Sequence, residues 1–137
     1  MRILIAEDDF ASRRFLKRML MSYGRCHTSV NGIEALEEFK EAFEEGEPYD
    51  VVFIDIMMPE MDGQELLKKI REYEKEAGLK GLDAVKTVMV TALRDIENIK
   101  TAFLEQCEAY LPKPVERKKM IEVLDDLGLI KNNSFKE

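Results

Sequence analysis

Apolar residues are distributed along this chain in two alternating rhythms. Short, nearly unbroken apolar runs cover Ile3–Ala6, Val51–Ile54 and Thr87–Val90, with weaker ones over Arg25–Val30 and Ala109–Leu111. Short runs with little polar alternation are what strands buried on both faces look like. Between them, apolar residues recur every three or four positions beside charged ones, the spacing of helices with one buried stripe. The expected stripes are Phe15, Leu16, Met19 and Leu20; Ile33, Leu36, Phe39 and Phe43; Leu66, Leu67, Ile70 and Tyr73; Ile96, Ile99 and Phe103; and Ile121, Leu124 and Leu127. Strands and helices alternating in this way predict an α/β domain with a parallel sheet covered by helices.

The punctuation between elements agrees. Asn31 followed by Glu34, and Asp62 followed by Glu65, read as helix caps in which the first side chain accepts a helix N–H and the later acid reaches back. The connection Ala77–Lys86 is long, carries two glycines and has room for a short extra turn. From Gly128 to Glu137 the chain is polar and aperiodic, so a domain is expected over residues 1–127 with a frayed tail over 128–137.

Composition then removes several function classes. A length of 137 residues suits one domain and leaves no room for a separate effector domain. With 28 acidic against 21 basic residues the net charge is −7, which argues against direct nucleic-acid binding through phosphate contacts. The two cysteines, Cys26 and Cys107, are far apart and there is a single histidine, His27, so a disulfide framework, a zinc site and most histidine-based catalysis are unexpected. The opening apolar run breaks at once into acid, unlike a signal peptide or a membrane span. A cytoplasmic protein with reduced thiols and no membrane partner is expected.

The candidate chemistry lies where polar residues meet strand ends. The first strand runs into Glu7, Asp8 and Asp9, the third ends in Asp55, the fourth in Thr91, and the fifth is followed by Lys113. In a parallel sheet these ends share one edge, and ligands bind there, where the winding direction reverses. Asp8, Asp9 and Asp55 gathered in one crevice repel one another: two unit charges about 4 Å apart cost roughly 4 kcal/mol at an effective dielectric near 20. A hard divalent cation with oxygen ligands, Mg²⁺ or Mn²⁺, suits an all-carboxylate site without histidine or cysteine. Lys113 adds an ammonium and Thr91 a hydroxyl, so the pocket is arranged for an anion to join them, and a carboxylate can itself take up a phosphoryl group.

These residues resemble the receiver domain of two-component response regulators, over about Arg2–Leu127. The landmarks are Asp8-Asp9 after the first strand, the segment Asp55-Ile-Met-Met-Pro-Glu-Met-Asp-Gly63, Thr91-Ala92, and Tyr110 followed by Lys113-Pro114. Singly each is weak; together, in order and at these spacings, they are specific. The resemblance implies a flavodoxin-like (βα)5 three-layer sandwich whose five-stranded parallel sheet runs in the order 2-1-3-4-5. It implies that Asp55 is the phosphoacceptor, taking a phosphoryl group from the phosphohistidine of a sensor histidine kinase or histidine phosphotransfer domain. Asp9, Asp55 and the backbone carbonyl of Met57 would bind the metal directly, with Asp8 acting through water. Lys113 would pair with a phosphoryl oxygen, the backbone N–H groups of Met57 and Ala92 would donate to others, and Thr91 and Tyr110 would act as the switch. The altered face, formed by helix four, strand five and helix five, would bind an unknown downstream protein or a second phosphorylated copy. The Lys113-Pro114 bond is expected to be cis.

Simpler readings stand beside these. Asp8 and Asp9 suit capping of the first helix, a reading that weakens once Asp55 is present, whereas Asp62 reads as a cap rather than a ligand. Tyr110 alone would be ordinary packing, and Met57, Met58 and Met61 ordinary gap-fillers. The basic face Arg13, Arg14, Lys17 and Arg18 reads either as a solvated helix side or as a docking surface for the phosphoryl donor. Two departures from the family pattern stand out: Gln106-Cys107-Glu108-Ala109 replaces a common Gly-Ala before Tyr110, and the 77–86 connection is long. Pro112 requires its strand to lie at a sheet edge. The leading alternative function is a Mg²⁺-dependent aspartyl-nucleophile phosphohydrolase, but such enzymes usually place the nucleophile in D-x-D after the first strand and carry a cap domain. A flavodoxin-like electron carrier would need a Ser/Thr/Gly-rich phosphate loop where Glu-Asp-Asp stands. The expected product of this chain is thus a single-domain phosphoacceptor protein rather than an enzyme acting on other substrates.

Overall fold

The computed structural model describes residues 1–79, 81–92 and 107–131. Five parallel strands, β1 (Arg2–Ala6), β2 (Arg25–Ser29), β3 (Val51–Asp55), β4 (Lys86–Ala92) and β5 (Ala109–Lys113), form one sheet in the order β2-β1-β3-β4-β5. The helices are α1 (Phe10–Leu20), α2 (Gly32–Glu44), α3 (Gly63–Glu76) and α4 (Arg117–Asp126), with a short 3₁₀ turn at Gly81–Asp83 inside the long connection. The predicted stripe Ile96, Ile99 and Phe103 lies outside the described residues, so α4 is the fifth helix of the sequence pattern. Leu129 and Ile130 pack against the core, which carries the folded unit past residue 127; the rest of the expected tail from residue 132 lies outside the described residues.

Strand side chains alternate between the two faces of the sheet. Leu4, Ala6, Val52, Ile54 and Met89 pack with α2 and α3, whereas Ile3, Ile5, Val51, Phe53, Val88, Val90 and Leu111 pack with α1 and α4. Two cores therefore sandwich the sheet. Pro112 lies in β5, paired on one side only, where a missing N–H is tolerated.

The helices begin where their caps say they should. The Asn31 side chain accepts from the Glu34 amide at 2.8 Å and Asp62 accepts from the Glu65 amide at 2.9 Å. On α3 the expected Leu66, Leu67 and Ile70 are buried, whereas the other helices match their expected stripes only in part. On α2 the inward residues are Gly32, Ala35, Phe39 and Ala42, while Ile33 is exposed; on α1 Leu16 and Leu20 point in and Phe15 out. On α4 the buried residues are Met120, Val123 and Leu124. On α2 small residues decide this: Gly32, Ala35 and Ala42 let the backbone approach the sheet closely, and the bulkier Ile33 becomes a rim residue.

Glycine takes that approach to its limit at Gly63, the first residue of α3. A Cβ there would lie 2.5 Å from the Asp55 carbonyl oxygen and 2.7 Å from the Ile56 Cα. The Gly63 amide also donates to the Ile56 carbonyl at 2.9 Å, so α3 starts directly against the end of β3. Gly63→Ala is expected to destabilise the fold by about 1–3 kcal/mol, as overpacking does, read as a lower urea midpoint. An unchanged midpoint would mean that α3 can back away from β3 at no cost.

Candidate functional site

Strand alternation selects the acidic residues that meet. Continuing the row Ile3–Ile5 along β1 leads to Glu7; Val51–Phe53 leads to Asp55; Ala109–Leu111 leads to Lys113. All three therefore emerge on the α1/α4 side at the carboxyl edge of the sheet. Lys113 Nζ donates to Glu7 Oε1 at 2.8 Å and lies 3.4 Å from Asp55 Oδ1. Glu7 has no exposed surface and Asp55 is 5% exposed. Carboxylate oxygens of Glu7, Asp8 and Asp55 all lie within 4.8 Å of one another.

The expected cluster of Asp8, Asp9 and Asp55 is corrected at one position. Asp9 is the N-cap of α1, its carboxylate accepting from the Ser12 amide at 2.8 Å, and this bond, with the Ser12 side chain, holds its pKa below the usual carboxylate value. Once the chain turns into the cap, Asp9 faces the first turn of the helix and Glu7 takes the place expected for it. The sequence signal for Glu7 is the period-two row of β1 continued past the strand end, which the adjacent Asp8-Asp9 pair masks. The Asp62 cap agrees with its expected role.

The charges in the crevice do not balance. Burial, reinforced by the hydrogen bond and charge of Glu7 and opposed by Lys113, pushes the Asp55 carboxyl up to about 8. Burial works to lower the pKa of Lys113, but its hydrogen bond to Glu7 and the charge of Asp55 outweigh it and the pKa is raised. An anionic crevice of hard oxygen donors with a single ammonium among the described residues fits a divalent cation. The Asp55, Asp8 and Glu7 carboxylates are the residues that would hold it; the Met57 amide lies 3.3 Å from Asp55 Oδ1.

Thr91, on the last turn of the β4 ladder, is buried, and its Oγ has no hydrogen-bond partner among the described residues. A buried hydroxyl without a partner is costly unless something comes to meet it. Ala92 pairs with Lys113 across the two strand ends. Tyr110, two residue pairs back and on the same side of the sheet as Thr91, is 46% exposed, pointing outward. The Lys113-Pro114 peptide bond is cis, as expected.

Around this edge, Arg14, Lys17 and Arg18 are exposed on α1, but Arg13 is not part of that free face. Its guanidinium donates to the Glu7 carbonyl at 2.9 Å and the Asp8 carbonyl at 3.2 Å and lies over the Phe10 ring, tying down the acidic loop. Phe10 and Phe15 project beside it. A cleft of about 410 Å³ opens between α1 and the start of α4, lined by Glu7, Phe15, Leu16, Val90, Lys113 and Val115 among others. Met58 and Met61 are core fillers, as expected, whereas Met57 projects into solvent. His27 Nδ1 lies 2.8 Å from the Tyr49 hydroxyl, a packing role. No helix among the described residues is long and apolar enough to cross a membrane.

A family model described as the response regulator receiver domain matches residues 3–125. The chemotaxis protein CheY of Treponema pallidum is 35% identical over 123 residues, covering 88% of this chain and 78% of that protein. The osmosensing histidine protein kinase SLN1 of Saccharomyces cerevisiae is 32% identical over 127 residues, 91% of this chain but 10% of the kinase. Among solved structures, the co-crystal of the S. cerevisiae phosphotransfer protein Ypd1 with the receiver domain of Ssk1 matches with a TM-score of 0.76 at 25% identity, over 96% of this chain and 93% of that one. The CheX-CheY-BeF3-Mg complex from Borrelia burgdorferi matches with a TM-score of 0.75 at 24% identity, over 93% and 89% of the two chains, a likeness of fold. This chain belongs to the response regulator receiver domain family, the phosphoacceptor domains of two-component phosphorelays.

Proposed function

We propose that Asp55 is the residue that accepts the phosphoryl group, and that the carboxylates of Glu7, Asp8 and Asp55 with the Met57 carbonyl hold the divalent cation. The observation that carries this reading is the buried Asp55 carboxylate at a strand end, 3.4 Å from an ammonium that Glu7 holds at 2.8 Å. When bound, Mg²⁺ or Mn²⁺ supplies positive charge that offsets the carboxylates and the incoming phosphoryl oxygens. The ionised carboxylate of Asp55 attacks phosphorus on a phosphohistidine. The new P–O bond forms as the P–N bond breaks, and the departing imidazole takes up a proton. Lys113 turns from Glu7 toward a phosphoryl oxygen, and the N–H groups of Met57 and Ala92 donate to the others. The unpartnered Thr91 hydroxyl moves to the same group, and Tyr110 turns inward into the space it leaves.

The donor is a sensor histidine kinase or histidine phosphotransfer domain, docked on the exposed Arg14, Lys17 and Arg18 with the flanking Phe10 and Phe15. Arg13 contributes by holding the loop rather than by meeting the partner. The surface around β5 and α4 delivers the output to a downstream protein or to a second phosphorylated copy, without direct contact to nucleic acid. The setting is cytoplasmic, and catalysis is confined to the chain's own phosphorylation and dephosphorylation.

Incubation with Mg²⁺ and acetyl phosphate should add one phosphate to the intact mass, and Asp55→Asn should abolish the adduct. Steady release of phosphate from an ester with no adduct would instead support a phosphohydrolase. The corrected ligand set separates two neighbours. Glu7→Gln should weaken Mg²⁺ binding by about tenfold or more, whereas Asp9→Ala should leave it within about twofold and lower the urea midpoint as a lost cap. Calorimetric titration that finds the reverse order would return Asp9 to the metal.

Proton linkage gives a further expectation for the metal-free protein. Asp55 titrates near 8 in the fold against 3.8 as the ordinary value, so the folded chain holds a proton that the unfolded chain releases. This contribution to stability is complete below about pH 4 and is lost as pH rises to about 8. Urea midpoints in chelator should fall over that window, and Asp55→Asn should flatten the fall. A slope that survives the substitution would belong to another group.

A further inference from the structure

The pole of the sheet opposite the acidic crevice carries a second charged cluster. From α3, the Arg71 guanidinium donates to Glu74 Oε1 at 2.7 Å, to the Val85 carbonyl at 3.0 Å and to Thr87 Oγ1 at 3.1 Å. It also reaches both carboxylate oxygens of Glu108, at 2.8 and 2.9 Å. Glu74, 2% exposed, accepts from the Val85 amide at 2.6 Å. Glu108 Oε2 accepts from both the amide and the hydroxyl of Thr87, at 2.6 and 2.8 Å, while the Glu108 amide donates to the Thr87 carbonyl at 3.1 Å. One carboxylate thus extends the β4–β5 ladder by a rung, and the guanidinium bolts that rung to α3.

Of these charged groups only Glu74 is buried; Arg71 is half-buried and Glu108 exposed, and an ion pair so placed adds little stability. The gain is therefore sought in position. β5 is an edge strand with one neighbour, and Pro112 removes a donor from it. The same strand carries Tyr110 and ends in Lys113, the ammonium shared by Glu7 and Asp55. The ladder to β4 is therefore the one strand pairing that sets where Lys113 stands, and Glu108 adds a rung at its amino end.

We propose that the Arg71–Glu108–Thr87 cluster is a positioning device: it fixes the amino end of β5 so that Lys113 and Tyr110 are presented in register to the phosphoryl group on Asp55. Glu108 and Arg71 touch neither metal nor phosphoryl group and act only through β5. The inference rests on the reading that Lys113 meets the phosphoryl group, and its test is arranged to separate the two.

The test uses the full chain with beryllium trifluoride and Mg²⁺ as the phosphoryl mimic. Glu108→Ala should weaken the mimic by about fivefold or more while Mg²⁺ alone binds within about twofold of the parent. Amide hydrogen exchange should accelerate at Tyr110, Leu111 and Lys113 but not in β1 or β3. Glu108→Gln, which keeps an oxygen to accept from Thr87, should recover most of both effects and guards against simple misfolding of the alanine variant. Unchanged affinity for the mimic in Glu108→Ala, or exchange that rises equally in β1, β3 and β5, would overturn the positioning role and leave Asp55 as acceptor untouched. A parent protein that binds Mg²⁺ but not the mimic would overturn the reading of Lys113 and Asp55, and this role with it.

Discussion

Excess negative charge at one edge of the sheet is the constraint on which the rest of this structure turns. Glu7, Asp8 and Asp55 are brought within reach of one another by parallel strands that all end on the same side, and Lys113 alone stands against them among the described groups. Two unit charges about 4 Å apart repel by roughly 4 kcal/mol at an effective dielectric near 20, and without a cation the crevice lowers that cost by keeping Asp55 protonated, its pKa pushed up to about 8. A fold that lives with such a cost holds the groups firmly. Arg13 clips the carbonyls of Glu7 and Asp8, the Asp9 cap sets the exit of the loop into α1, and Gly63 lets α3 start flush against β3. The crevice is poised to gain cations, and a phosphoryl group arriving with a metal brings two oppositely charged partners into one place.

Much of this was legible because the relevant codes are local. Unbroken apolar runs mark strands buried on both faces, and Asn31 and Asp62 announce their helices through side-chain bonds to amides three residues on. The ends of β3, β4 and β5 supplied Asp55, Thr91 and Lys113 without any knowledge of tertiary contacts. What could not be read was which of three consecutive acids, Glu7, Asp8 and Asp9, faces in. That depends on the residue at which the strand stops and the cap begins, a boundary that composition does not reveal. The alternation Ile3–Ile5–Glu7 carried the answer, but only if the strand's phase was trusted past its last apolar residue.

The helix faces were legible in part: Leu16, Leu20, Phe39, Leu66, Leu67, Ile70 and Leu124 are buried as expected. Periodicity finds a stripe by size and hydrophobicity, so Phe15 and Ile33 were also expected inside, yet they are exposed, and on α2 the smaller Gly32, Ala35 and Ala42 face the sheet. Close packing rewards the face that brings two backbones together, not the one with the largest side chains. The displaced aromatic residues then lie at the rim. At Phe10 and Phe15 that places apolar area beside Arg14, Lys17 and Arg18 next to the crevice, so a packing outcome shapes the surface a partner meets.

The two departures from the family pattern, the long 77–86 connection and Glu108 before β5, turn out to be one feature. Val85, at the end of the connection, gives its amide to Glu74 and its carbonyl to Arg71; Glu108 takes the other side of the same guanidinium. Glu74 is already offset by Arg71 and by the Val85 amide, so what Glu108 adds is a tie from the same guanidinium to β4 and β5. Together these groups close a cluster across three elements. β4 and β5 are consequently held by charge at both ends: Arg71 with Glu108 at the start, Lys113 with Glu7 and Asp55 at the finish. The two ends differ in what they can exchange. The first is satisfied within the chain and has no reason to move, whereas the second retains uncompensated carboxylates and an unpartnered Thr91 hydroxyl. A pair of strands anchored at one end and unsatisfied at the other directs any rearrangement to the unsatisfied end, where the proposed acceptor Asp55 lies.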